Sequence, residues 1–278
     1  MERKAIFKWI LFLWPFVATG MLWLSDPVSL SNLDYSVEGI GRVSLLETKW
    51  AYSYIHLFAF VPVFLLSFDT RVRYCAYWRT LFPAIGIMAV LFIVWDAYFG
   101  YAGVWGFNDA YTTGLRWLGL PWEEWMFFIT VPFASFFIYA CLNTYFPTDP
   151  LKMYDKWISL GLISVLLLSA LSYLDRLYTA STFILTGGLL LYHYIYVPNT
   201  YRTLFFRAYV IILIPFLLCN GILTGVATQS PIVVYNPQEF MGLRITTIPL
   251  EDSAYGFLLL LGVVSFQEFF KKSTKRLA

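Results

Sequence analysis

Charge is scarce in this sequence. Only 13% of its 278 residues are Asp, Glu, Lys or Arg, about half the share found in a soluble domain. Cysteine is scarcer still. Cys75, Cys141 and Cys219 stand far apart, with no C-x-x-C pair, which leaves apolar packing residues, not a disulfide framework or a metal box. The two histidines, His56 and His193, lie in separate apolar stretches and share no repeat position, so no metal site is expected. Gly-x-Gly-x-x-Gly, Walker and Gly-x-Ser-x-Gly motifs are all missing, so neither a nucleotide nor a flavin is implied. No cofactor is expected. What fills the chain instead is apolar: 59% of residues, with 21% aromatic and a mean hydropathy of +0.67. That is the composition of an integral membrane protein.

A membrane-crossing helix needs about 20 mostly apolar residues. Eight segments qualify: 6–24, 51–68, 80–99, 122–142, 156–173, 179–197, 208–226 and 252–270. The predicted fold is therefore all-α, a polytopic membrane helix bundle. Arg3, Lys4 and Lys8 precede the first run, as in a signal peptide, but the run reaches Leu24 with no small-residue cleavage site, so it reads as a retained span. Residues 25–50 are polar, carry Asp26, Asp34, Glu38 and Glu47, and read as an irregular loop. Basic residues orient the bundle. With Lys156 at the edge, fourteen of 19 fall at the N-terminus, at 69–79, 143–155 and 198–207, and in the C-terminal tail, whereas 11 of the 17 acids fall at the opposite ends. Both termini are expected to be cytoplasmic. The terminal Lys/Arg cluster reads as an anchor, with no nucleic-acid partner.

The chain repeats itself at an offset of 128. Asn108, Gly114, Leu115, Arg116, Pro121 and Glu123 recur as Asn236, Gly242, Leu243, Arg244, Pro249 and Glu251, with Glu124 answered by Asp252. The offset carries spans two, three and four onto six, seven and eight. The fifth span restores direction between the copies, so the repeats are parallel, with a site expected between them. The parts are an N-terminal helix and outer loop (1–50), repeat 1 (51–146), a linking helix (147–177), repeat 2 (178–271) and a basic tail (272–278).

The chemistry candidates follow from the repeat. Each copy opens a span with Pro-x-Glu-acid. Acids in a first turn complement the helix dipole, but ionisable groups at a membrane span are functional candidates, and here they come twice. Paired carboxylates suit acid–base work: Glu123 with Glu124, and Glu251 with Asp252. Arg116 and Arg244 pull the other way: paired with the glutamates they favour a structural ion pair, and which carboxylate each faces is left open by the sequence. Asp96 is the one acid well inside a span; it is a proton relay or an interhelical hydrogen-bonding group. Asn220, deep in span seven, reads as interhelical bonding. Trp95, Trp105, Phe107, Phe127, Phe128, Tyr235 and Tyr255 could face a developing cation, or could form the aromatic belt of any membrane protein.

The runs W-D-A-Y-F-G-Y-A-G-V-W-G-F-N (95–108), L-P-W-E-E-W-M-F-F (120–128), L-D-R-L-Y-T (174–179) and I-P-L-E-D (248–252) resemble the membrane-integral, flavin-independent lycopene cyclases. These occur as separate subunits or as fused chains, and this chain resembles the fused form over about residues 54 to 271. The resemblance implies protonation of lycopene, carbocation ring closure and proton loss to give β-ionone end rings, with no net redox and no cofactor. It implies Glu123 and Glu251 as the main proton-transfer residues, Glu124 and Asp252 as their partners, and Asn108, Asn236, Arg116, Arg244 and Asp96 as supporting residues. It also implies a lycopene substrate drawn from the bilayer, lipid contact, an interaction with other carotenoid enzymes and a bacterial cell membrane location. Trp122 stands where the family usually has a smaller aliphatic residue, and the first 50 residues are not part of the recognised core. Two other readings use the same residues: a small transporter or channel with acidic ion or proton sites, and a non-catalytic membrane protein whose acids are helix caps.

Overall fold

The computed structural model describes residues 2–25, 33–35 and 37–277. Asp26 lies outside them, as do the side chains of Arg3, Lys4, Lys275 and Arg276, on which the orientation reading partly rests. Among the described residues eight α-helices form where the apolar runs fall: α1 Glu2–Ser25, α2 Ala51–Leu66, α3 Trp78–Ala102, α4 Trp122–Tyr145, α5 Asp155–Ser172, α6 Leu177–Tyr196, α7 Arg202–Leu223 and α8 Leu250–Leu277. Among the described residues five helical segments are long and apolar enough to cross a membrane, those containing α3, α4, α5, α7 and α8. Apolar stretches of α1 and α2 are shorter, and α6 is rich in Thr, Ser and Gly. It can be, because α1, α5 and α8 enclose it and little of its surface meets lipid.

Packing repeats as the sequence does. Helix α2 lies on α4 as α6 lies on α8; α3 packs on α8 as α7 packs on α4. Six short strands complete the plan: β1 Trp105–Phe107, β2 Arg116–Trp117, β3 Leu120–Pro121, β4 Val233–Tyr235, β5 Arg244–Ile245 and β6 Ile248–Pro249. Every one of them recurs at 128. Strands β2 and β3, and likewise β5 and β6, form tight hairpins that lead into α4 and α8. The N–H of Trp122 closes the first onto the Leu115 carbonyl at 2.8 Å, and Leu250 closes the second onto Leu243 at 3.0 Å. The repeated glycine has a backbone cause. Gly114 and Gly242 sit at φ +85° and +87°, where a Cβ is strained.

The two halves meet through β1 and β4, which pair antiparallel with Trp105 opposite Tyr235, Gly106 opposite Val234 and Phe107 opposite Val233. Residue 106 plus 128 is 234, so the central pair is its own image. A pseudo-two-fold axis therefore passes through the seam, and both copies of the motif lie at one end of the bundle. Asn108 donates its N–H to the Ile232 carbonyl and Asn236 to that of Val104, both at 2.8 Å, so each repeat grips the other symmetrically.

Helix α1 and the strap that follows it lie outside this symmetry. Gly39, Ile40 and Val43 donate backbone hydrogen bonds of 2.8–2.9 Å to Gln229, Gly225 and Ala227, and the Glu47 carboxylate accepts from the Gln229 N–H at 2.7 Å and the Tyr111 hydroxyl at 3.0 Å. The polar stretch after α1 is thus fastened to the second repeat. Helix α1 packs on α6. A Cβ on Gly188 would come within 2.2 Å of Pro15, so only glycine admits this approach. Phe12 meets Tyr192 edge to face at 5.2 Å, and Trp23 stacks on Tyr98 at 4.6 Å.

Candidate active site

The hairpins place a carboxylate pair at the head of each long helix, and the pair divides its work. Glu123 and Glu251 are fully buried. One oxygen of Glu123 accepts from the Thr113 N–H at 2.8 Å and the Ser53 hydroxyl at 3.4 Å. One oxygen of Glu251 accepts from the Met241 N–H at 2.7 Å and the Thr179 hydroxyl at 2.5 Å. In both residues the second oxygen, Oε2, is buried without a hydrogen-bond partner. These two acids tie each loop to the helix behind it.

Their neighbours turn inward. Glu124 and Asp252, one from each repeat, line a single narrow cavity of about 50 Å³ between the halves. Tyr52 donates to Glu124 at 2.6 Å. Asp252 accepts three bonds, from Tyr178 at 2.5 Å, the Asn220 amide at 2.6 Å and Tyr235 at 2.9 Å. Tyr235 sits on β4, outside the helices. Its burial, then the Asp252 carboxylate beside it, push its phenol well above the ordinary range, so it stays a donor. Asp96 of α3 reaches the same cavity, beside the Trp105 indole. The corresponding position is Thr224, just past the end of α7, whose hydroxyl bonds to that of Thr247 at 2.6 Å. The cavity is therefore two-fold in its walls and unequal in its acids.

Its walls are repeat-related aromatic positions. Phe127 and Tyr255 correspond, as do Phe107 and Tyr235, and all four line the cavity together with Trp105. Trp105 meets Tyr178 edge-on at 5.1 Å and Tyr255 at 6.0 Å. Such rings stabilise positive charge without trapping it. Two of the aromatic candidates lie elsewhere. Phe128 is fully buried between Phe92 and Phe127, and Trp95 faces an adjacent apolar groove, in ring contact with Tyr255 at 5.0 Å.

Asn108, Asn236, Arg116 and Arg244 keep clear of the carboxylate pairs. The Asn side chains cap their own turns and reach across the seam, to Ser230 at 3.0 Å and to the Gly103 carbonyl at 3.2 Å. Arg116 pairs with Asp109 at 2.6 Å and holds the Gly119 carbonyl at 2.8 Å. Arg244 holds the Thr247 carbonyl and lies over the Phe240 ring at 4.6 Å. The ion pair with the glutamates is not formed; the arginines brace the hairpins instead. Tyr52 and Tyr178 are the residues that sequence reasoning missed. They correspond at 126, not 128, because two residues of offset are lost between α2 and α6. The signal was a shifted dipeptide, Tyr52-Ser53 against Tyr178-Thr179. Asn220, read as interhelical bonding, bonds across helices to Asp252 and also lines the cavity. Among the described residues no group of three or more His, Cys, Asp or Glu could hold a metal ion.

A family model described as lycopene cyclase matches residues 48–142 and 175–270. The match covers both repeats and leaves out α1, most of the strap and α5. No curated protein and no solved structure matches the chain.

Proposed function

The chain belongs to the lycopene cyclase family, and on that premise we propose that it closes the acyclic end groups of lycopene into β-ionone rings. One observation carries the reading. Acids from the two repeats, Glu124 and Asp252, converge on one buried, aromatic-walled cavity. Glu124 with its single tyrosine donor is assigned as the acid. Asp252 is saturated by three donors, the pattern of a carboxylate, and is assigned as the base. The Glu124 proton adds to the terminal double bond of the end group. The electron pair of a second double bond then attacks the cation and forms the ring bond. A proton lost from the adjacent carbon to Asp252 restores a neutral hydrocarbon. One proton enters and one leaves, so there is no net redox. Asp96, on the same wall, is the group to return the proton to Glu124. Trp105, Phe107, Phe127 and Tyr255 shield the cation from water. Glu123 and Glu251 act as positioning residues, holding the loops that aim the inner acids.

Lycopene is taken from the bilayer, and both termini face the cytoplasm of a bacterial cell membrane on the Lys/Arg distribution. The test is a pigment extract from a lycopene-accumulating bacterium that expresses the chain. Cyclised product is expected from the wild type and not from Glu124→Gln or Asp252→Asn at equal protein level. Product from both of those variants, with none from Glu123→Gln or Glu251→Gln, would move the chemistry to the outer pair. Unchanged lycopene with folded wild-type protein would overturn lycopene cyclisation itself.

A further inference from the structure

We infer that the groove between α1, α3, α6 and α8 holds the extended hydrocarbon chain of the substrate, and that the described residues form one such groove although the repeat occurs twice. The inference rests on the cyclase reading and names where the rest of the polyene lies while one end group reacts. The groove has a volume of about 530 Å³. Its lining on α8 runs from Leu258 to Lys272, 14 residues or about 21 Å of helix at 1.5 Å per residue. The inner end lies one turn beyond Tyr255 of the acid cavity. There Phe92 and Trp95, on the groove wall, meet the Tyr255 ring at 4.8 and 5.0 Å. Groove and cavity thus share an aromatic partition. The other end carries Glu268 and Lys272, as expected of a mouth at the membrane surface. His193 and Ser265, the polar groups midway, are bonded to each other at 3.1 Å. What the groove presents along its length is rings and methyl groups. Flat rings along an extended apolar groove suit a rigid conjugated polyene better than a flexible acyl chain.

The second copy lacks the groove because it lacks the cover. Helix α1 lies against α6 and, through Trp23, against α3. The outer face of α2, in the other repeat, stays bare, with Leu57, Phe58 and Leu65 57–72% exposed. A single groove abutting a single cavity presents one end of the polyene at a time. A two-ring product then requires the molecule to leave, reverse and return, and the one-ring product must build up transiently.

The experiment uses the full chain purified in detergent with lycopene, carrying Glu124→Gln so that substrate is held unchanged. Pigment retained per protein is read by absorbance after washing, beside the induced circular dichroism of the polyene. Leu91→Trp and Leu189→Trp fill the groove from a half-exposed and a partly buried position, and Leu65→Trp places the same ring on the outer face of α2. Retention is expected to fall at least tenfold in each groove variant and to stay unchanged in Leu65→Trp, at matched melting temperatures. Unchanged retention in both groove variants, or phospholipid co-purifying in place of polyene, would overturn the inference. The two readings fail separately. Groove-dependent retention with no ring formed by the wild type would sink the cyclase reading and keep the groove. Ring formation at the wild-type rate by Leu91→Trp and Leu189→Trp would do the reverse.

Discussion

Tyr52 and Tyr178 each donate to the inner acid of their own repeat, yet the acids depend on them unequally. Asp252 keeps Asn220 and Tyr235 when Tyr178 loses its hydroxyl; Glu124 has no such pair of donors behind Tyr52. A hydrogen bond to a charged group contributes about 1.5–3 kcal/mol. Tyr52→Phe is therefore expected to slow ring formation by about 10- to 100-fold and Tyr178→Phe by less than about tenfold, measured as cyclised pigment per protein over time. Equal losses would show that the two donors carry equal weight. At this scale the repeat was legible and its meaning was not. Most of what recurs at 128 is turn chemistry: Asn108 and Asn236 cap turns and bridge the seam, Arg116 and Arg244 hold hairpin carbonyls, Gly114 and Gly242 supply positive φ. Invariance under the offset marks backbone needs as strongly as it marks reacting groups.

Among the elements, the helices were legible because apolar runs of 20 residues have few other solutions. The six strands were not, since two or three residues are too short to show a period. They nonetheless set the site. The hairpins fix the angle at which α4 and α8 begin, and so which acid of each pair points inward. No heavy atom lies within 4 Å of a Cβ built on Gly114 or Gly242, so Gly114→Ala and Gly242→Ala cost backbone strain alone, about 1–3 kcal/mol each. Each should lower the detergent-solubilised melting temperature and the pigment yield together. Gly188→Leu belongs to another surface. It drives α1 off α6 at Pro15 and is expected to lower polyene retention while the two repeats, joined elsewhere, remain assembled. Limited proteolysis would check this: cleavage should begin near α1 and spare α2 to α4.

As a whole the molecule is two three-helix units joined by α5, and that joint is dispensable in principle. Repeat 1 and repeat 2 meet at the β1–β4 seam and through α3 on α8 and α4 on α7, none of which needs a continuous chain. Arg207 holds the carbonyls of Phe146 and Thr148 at 2.8 and 2.7 Å, so a break after Pro150 leaves that contact intact. Two fragments, 1–150 and 151–278, are expected to restore ring formation when co-expressed and to form none when expressed singly, since each supplies one inner acid. Colour from either fragment alone would refute a shared cavity.

The central pair of the seam, Gly106 with Val234, is also a statement about ancestry. A patch that is its own image under a half-turn is what joins identical subunits in an isologous dimer. A single-copy forebear with this hairpin and this acid pair would have closed the same cavity by meeting its twin, with two equal acids and two open flanks. Fusion let the copies diverge. One gained Asp96 where the other has Thr224, and one gained a roof in α1. A symmetric pair has no way to say which acid gives the proton and which takes it; a tandem gene does.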